Sequence, residues 1–78
     1  MPTTIDPKRY ARLLARTLPR VIDSAKEYER LLGEAESLMD AGAGRTLEED
    51  TLLQLMVSLI EAYEQKRYAV PQASPRGA

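Results

Sequence analysis

Apolar positions in this chain recur every three to four residues in three separate stretches, the spacing that gathers them on one side of an α-helix. In the first, Tyr10, Leu13, Leu14, Thr17 and Leu18 share a side, while Lys8, Arg9, Arg12 and Arg16 collect on the other. Asp6 is a good N-cap and Pro7 suits the first helical position. Pro19 disfavours the α region for the residue before it, so the pattern predicts a helix over 7–18. Val21 and Ile22 then form a short apolar link. The second stripe is Tyr28, Leu31, Leu32, Ala35, Leu38 and Met39. It follows a capping-box signature, Ser24-Ala25-Lys26-Glu27, and stops at Ala41-Gly42-Ala43-Gly44, which predicts a helix over 25–41 with one of the two glycines left-handed.

The third stretch opens with a second capping box, Thr46-Leu47-Glu48-Glu49, and Glu48, Glu49 and Asp50 complement the helix dipole in its first turn. Lys66 and Arg67 suit its carboxyl end, so the predicted helix runs over 47–68. Its apolar residues cover roughly 220° of the helical wheel, wider than one packed face needs. Leu52, Met56 and Tyr63 lie mid-arc, with Leu53, Val57 and Ile60 on one flank and Leu55, Leu59 and Ala62 on the other. Two readings stay open: a central helix between the other two, or one flank set against another chain. The expected architecture is all-α, a small three-helix domain over residues 1–69 with the third helix central. Residues 70–78 hold two prolines and a glycine without periodicity and read as a linker or flexible, proline-containing tail.

At 78 residues the chain is near the lower size limit for a self-sufficient core. It has no cysteine and no histidine, which removes thiol chemistry, the commonest general base and the commonest transition-metal ligand. The serines have no base to activate them, and the acids Glu48, Glu49 and Asp50 lack the alternating oxygen ligands of a calcium loop. No catalytic, cofactor or metal site is expected, and a non-enzymatic binding domain fits better. No signal-peptide segment or bilayer-length apolar run is visible, which is compatible with a cytoplasmic protein.

The net charge of −1 conceals a segregation. Residues 1–22 carry five basic side chains against one acid, whereas residues 23–64 carry eleven acids against three basic side chains. Such asymmetry points to charged partners. The basic side of the first helix could meet nucleic-acid phosphates, although a solvated helix face explains it too. The acidic part would attract a basic protein.

The order of local blocks is also informative. Tyr10-Ala11-Arg12-Leu13-Leu14, Leu18-Pro19-Arg20-Val21-Ile22, Glu27-Tyr28-Glu29-Arg30 and Glu36-Ser37-Leu38-Met39 are followed by Thr46-Leu47-Glu48-Glu49-Asp50, Leu59-Ile60-Glu61-Ala62-Tyr63-Glu64 and Tyr68-Ala69-Val70-Pro71. This succession resembles the amino-terminal helical domain of HigA-type antitoxins, transcription regulators that carry a helix-turn-helix domain. The resemblance covers about residues 8–76. In that family a segment similar to Val70–Pro75 leads into the helix-turn-helix, and this sequence ends at Ala78. No DNA-reading residue carries over, and DNA contact is expected only through a helix-turn-helix domain outside this sequence.

The resemblance implies binding and neutralisation of a basic, HigB-like messenger-RNA endonuclease. Joined to the charge pattern, it makes Tyr28, Glu27, Glu34, Glu36, Leu53, Val57 and Ile60 the candidate partner-binding residues. Glu48 and Glu49 are expected among the exposed carboxylates. Self-association through the flank of Leu53, Val57 and Ile60 is also expected, giving a homodimer. A homodimerisation module of a DNA-binding regulator is therefore the alternative function. A small nucleic-acid-binding protein using the first helix is a weaker one.

Overall fold

The computed structural model describes residues 4–68. Three helices account for most of them: α1 (Pro7–Thr17), α2 (Ala25–Ala41) and α3 (Leu47–Tyr68), with one 3-10 turn at Gly42–Gly44. The expected all-α, three-helix architecture is present, and the bounds match the sequence reading except that α1 ends one residue early. The tail expected over 70–78 lies outside the described residues.

Local chemistry explains the boundaries. Asp6 accepts the Lys8 amide at 3.0 Å and Pro7 takes the first helical position. Leu18 closes α1 at φ 50°, a left-handed conformation that leucine adopts at a cost, and its amide donates to the Leu14 carbonyl at 2.7 Å. At α3 the capping box is complete: Thr46 Oγ1 accepts the Glu49 amide at 3.1 Å and Glu49 accepts the Thr46 amide at 3.0 Å. At α2 only half of the expected box forms. Ser24 Oγ accepts the Glu27 amide at 3.2 Å, but the Glu27 carboxylate has turned to arginines. Between α2 and α3 it is Gly42 that takes a positive φ, 57° with ψ −133°, a combination glycine alone adopts comfortably.

The helices run in a definite sense. The Asp6 amide donates to Glu48 Oε2 at 2.6 Å, which ties the start of α1 to the start of α3. The link after α1 lies beside the far end of α3, where Val21 and Ile22 line a small groove with Leu59, Ala62, Tyr63 and Lys66. So α1 and its link run parallel to α3. In contrast, Tyr28 at the start of α2 stacks on Tyr63 near the end of α3, with ring centroids 5.0 Å apart. Arg45, just past α2, reaches Asp50 in the first turn of α3. Hence α2 is antiparallel to α3, which lies between the other two helices as expected.

The core is the contact of α3 with both neighbours. Leu31 and Ala35 of α2 meet Leu52, Met56 and Ile60 of α3, with Ile22 of the link joining them. Tyr10, Leu13 and Leu14 of α1 pack on this cluster from one side. Burying such side chains contributes about 1.5–3 kcal/mol each relative to exposure, the main term available to so small a domain.

Two arginines fasten the ends. Arg30 donates to the Thr17 carbonyl at 2.8 Å and to the Leu18 carbonyl at 3.0 Å, satisfying the last turn of α1 from α2. The same guanidinium holds Glu27 through two hydrogen bonds, at 3.1 and 2.6 Å. Arg45 donates to the Leu38 carbonyl at 3.1 Å and to Asp50, which braces the turn between α2 and α3.

Candidate interaction face

Helix geometry determines which side of the α2–α3 pair is covered. On α2, Glu27 and Arg30 point toward α1, where they reach Arg20, Thr17 and Leu18. On α3, Glu48, Leu59 and Ala62 point the same way, toward Asp6 and the link. The opposite side of the pair has no third helix among the described residues. Tyr28, Leu32 and Met39 follow one another along α2 on that open side, at the i, i+4 and i+11 spacing of a single row. Leu53 and Val57 of α3 fall in one row with Ile60 and Glu64, and Tyr28 of α2 donates a hydrogen bond to Glu64. The two rows therefore flank one shallow apolar seam.

Exposure grades along this seam. Tyr28, Leu32, Leu53 and Val57 are half-buried, and Met39 at its end is 50% exposed. Carboxylates edge it: Glu29, Glu36 and Asp40 on the outer side of α2, and Asp50 and Glu61 on the outer side of α3. Asp50 is held by Arg45. Glu29, Glu36, Asp40 and Glu61 make no ion pair or side-chain hydrogen bond among the described residues. The arrangement is an apolar centre with an acidic rim, chemistry that suits a protein surface of the opposite sign.

Several residues expected at a partner surface are placed elsewhere. Ile60 is 6% exposed and belongs to the core, because α2 crosses that part of the flank. Glu27, 9% exposed, is spent on Arg30 and Arg20. Its pKa is lowered, chiefly by the Arg30 hydrogen bond, and Glu27 in turn raises that of Arg30. Glu48 is 6% exposed rather than free, and the Asp6 amide holds its carboxyl below the usual range. Glu49 is half-buried and occupied by its capping bond. Glu34 and Glu36 are both exposed, yet two residues apart on a helix they face opposite ways. Glu36 edges the seam, whereas Glu34 lies on the Arg30 side and supports that charge. Tyr28, Glu36, Leu53 and Val57 thus come together, and Leu32, Met39 and Glu29 join them.

Leu32 and Met39 were legible as part of the α2 stripe. Their role was not, because a stripe seen alone does not show which half a neighbour covers.

A second feature lies across the molecule. Arg9, Arg12 and Arg16 of α1 form one wall of a groove of about 250 Å³ whose other wall is Thr46, Glu48 and Glu49. Among the described residues no cluster of three or more acids could hold a metal ion, and no helix is long and apolar enough to cross a membrane.

In class, the chain is a small all-α, three-helix domain with one acid-rimmed face that no third helix covers among the described residues. Comparison with protein-family models, with curated proteins and with solved structures finds no match to this chain.

Proposed function

We propose that this chain is a non-enzymatic protein-binding domain of the HigA antitoxin type, seating a basic, HigB-like messenger-RNA endonuclease on the open α2–α3 face. The observation that carries the reading is the seam of Tyr28, Leu32, Met39, Leu53 and Val57 rimmed by Glu29, Glu36, Asp40 and Glu61. An enzyme that cleaves RNA presents a positive surface, and the rim would steer it in. The half-buried apolar centre would supply the anchor, since few residues carry most of an interface's affinity. The order of sequence blocks supports the choice of partner class. A second copy of this chain fits the same face less well, because self-pairing would set like-charged rims against each other.

The test is to mix the 78-residue chain with a HigB-like toxin and follow association and dissociation over a salt series. The expected result is a complex whose association slows with salt and with Glu29→Lys/Glu36→Lys, while dissociation changes little. Leu53→Ala/Val57→Ala should instead speed dissociation at least about tenfold, the effect of losing roughly 1.4 kcal/mol at an anchor. No complex, or one insensitive to both pairs, would overturn the assignment. Sedimentation of a stable dimer broken by the Leu53 and Val57 changes would move the face to self-association.

A further inference from the structure

Seven arginines lie among the described residues, and five are engaged. Arg9 pairs with Asp6, Arg20 with Asp23 and Glu27, Arg30 with Glu27, and Arg45 with Asp50. Arg67 contacts Tyr63. Arg12 and Arg16 make no ion pair or side-chain hydrogen bond among the described residues, and neither does the Lys8 ammonium. A solvated helix face usually interleaves both signs, which stabilises it through pairs three and four residues apart. Here Pro7 to Ile22 holds five cations and no acid, although the rest of the chain is rich in acids. The charge is concentrated, not balanced.

We infer that the outer stripe of α1, Lys8, Arg9, Arg12 and Arg16, is a contact surface for the phosphate backbone of duplex DNA. From Lys8 to Arg16 the helix rises about 12 Å. Successive phosphates of one strand advance about 3.4 Å along the duplex axis, so a length of about 12 Å along that axis holds roughly three to four of them per strand. A small anion inside the adjacent groove would meet Glu48 and Glu49 on its inner wall. An extended polyanion lying along the outer edge of α1 avoids them. The stripe contains no aromatic ring, since Tyr10 packs on the core, and so offers no platform for the unstacked bases of a single strand. Directed at phosphates rather than at base edges, these cations position the domain on DNA without selecting sequence. The stripe faces away from the core, on the other side of the molecule from the acidic seam, so both surfaces can be occupied at once.

The experiment is fluorescence anisotropy of a labelled duplex of about 20 base pairs with the 78-residue chain, between about 25 and 200 mM salt. Four phosphate contacts predict a logarithmic salt slope of about −3.6, a loss of roughly a thousandfold over that range. Arg12→Ala/Arg16→Ala should halve the slope, leaving a loss of roughly fortyfold, with unchanged helical circular dichroism. Arg12→Lys/Arg16→Lys should retain the full slope, since lysine serves a phosphate as a point charge. No binding at the lowest salt would overturn the inference. So would an unchanged slope in the alanine variant, or equal or tighter binding of single-stranded oligonucleotide or polyglutamate.

Discussion

Ile60 and Val57 sit three residues apart on α3 and carry opposite expectations. Ile60 is 6% exposed within the core, whereas Val57 is half-buried at the edge of the open seam. Ile60→Ala removes three carbons from a nearly closed environment. At about 0.8 kcal/mol per buried carbon the transfer loss is about 2.4 kcal/mol, and the cavity left behind raises the cost toward the 2–5 kcal/mol of large-to-small core changes. Val57→Ala removes two carbons that keep some contact with solvent and leaves no closed cavity, so it costs about 1 kcal/mol. A domain of this size has roughly 4–10 kcal/mol to lose. Urea titration followed by circular dichroism at constant slope should therefore separate the two clearly. Thermal melting should place Ile60→Ala at least roughly 10 °C below the parent and Val57→Ala within about 8 °C. Affinity for the proposed HigB-like partner should be lowered by Val57→Ala at temperatures where the fold is intact. Equal destabilisation by the two changes, or a larger loss at Val57, would refute the division of this flank into core and surface.

Acid should weaken the fold through Glu27 and Glu48. Both carboxyls titrate below the ordinary value of 4.5 in the folded chain, so the unfolded state takes up protons first. Their stabilisation is complete above that value and is lost as pH falls through the lowered folded ones. Glu27→Gln/Glu48→Gln should flatten the acid limb of a stability–pH curve, and an unaltered limb would contradict the paired geometry. At the turn before α3, Gly42→Val should cost at least about 1 kcal/mol, because φ 57° with ψ −133° is strained for any side chain. Gly44→Ala, where an added Cβ meets no atom within 4 Å, should be near neutral in the same melt.

Helix existence, type and ends were readable from the chain because their causes are local. Asp6, Ser24, Thr46 and the glycine segment satisfy or terminate backbone hydrogen bonds within a few residues, and the apolar period is a property of each segment alone. The wide arc of α3 fitted either a central helix or a flank set against another chain, and the packing places α3 between α1 and α2 with Leu53 and Val57 still half-exposed. Tertiary structure decided everything that depends on which neighbour covers which side. It drew Glu27 out of its expected capping box and into a clamp with Arg30, because two carbonyls at the end of α1 required a donor there. It buried Ile60 while leaving Val57 at the rim, because α2 crosses one part of that flank and not the next. It set Glu34 and Glu36 on different faces and brought Glu36, Leu32 and Met39 beside Leu53 and Val57, residues of two helices joined only by the antiparallel turn. A helical stripe fixes which residues share a side of their own helix. Only the packing of α1 on one face of the α2–α3 pair fixes which of those sides no helix covers among the described residues.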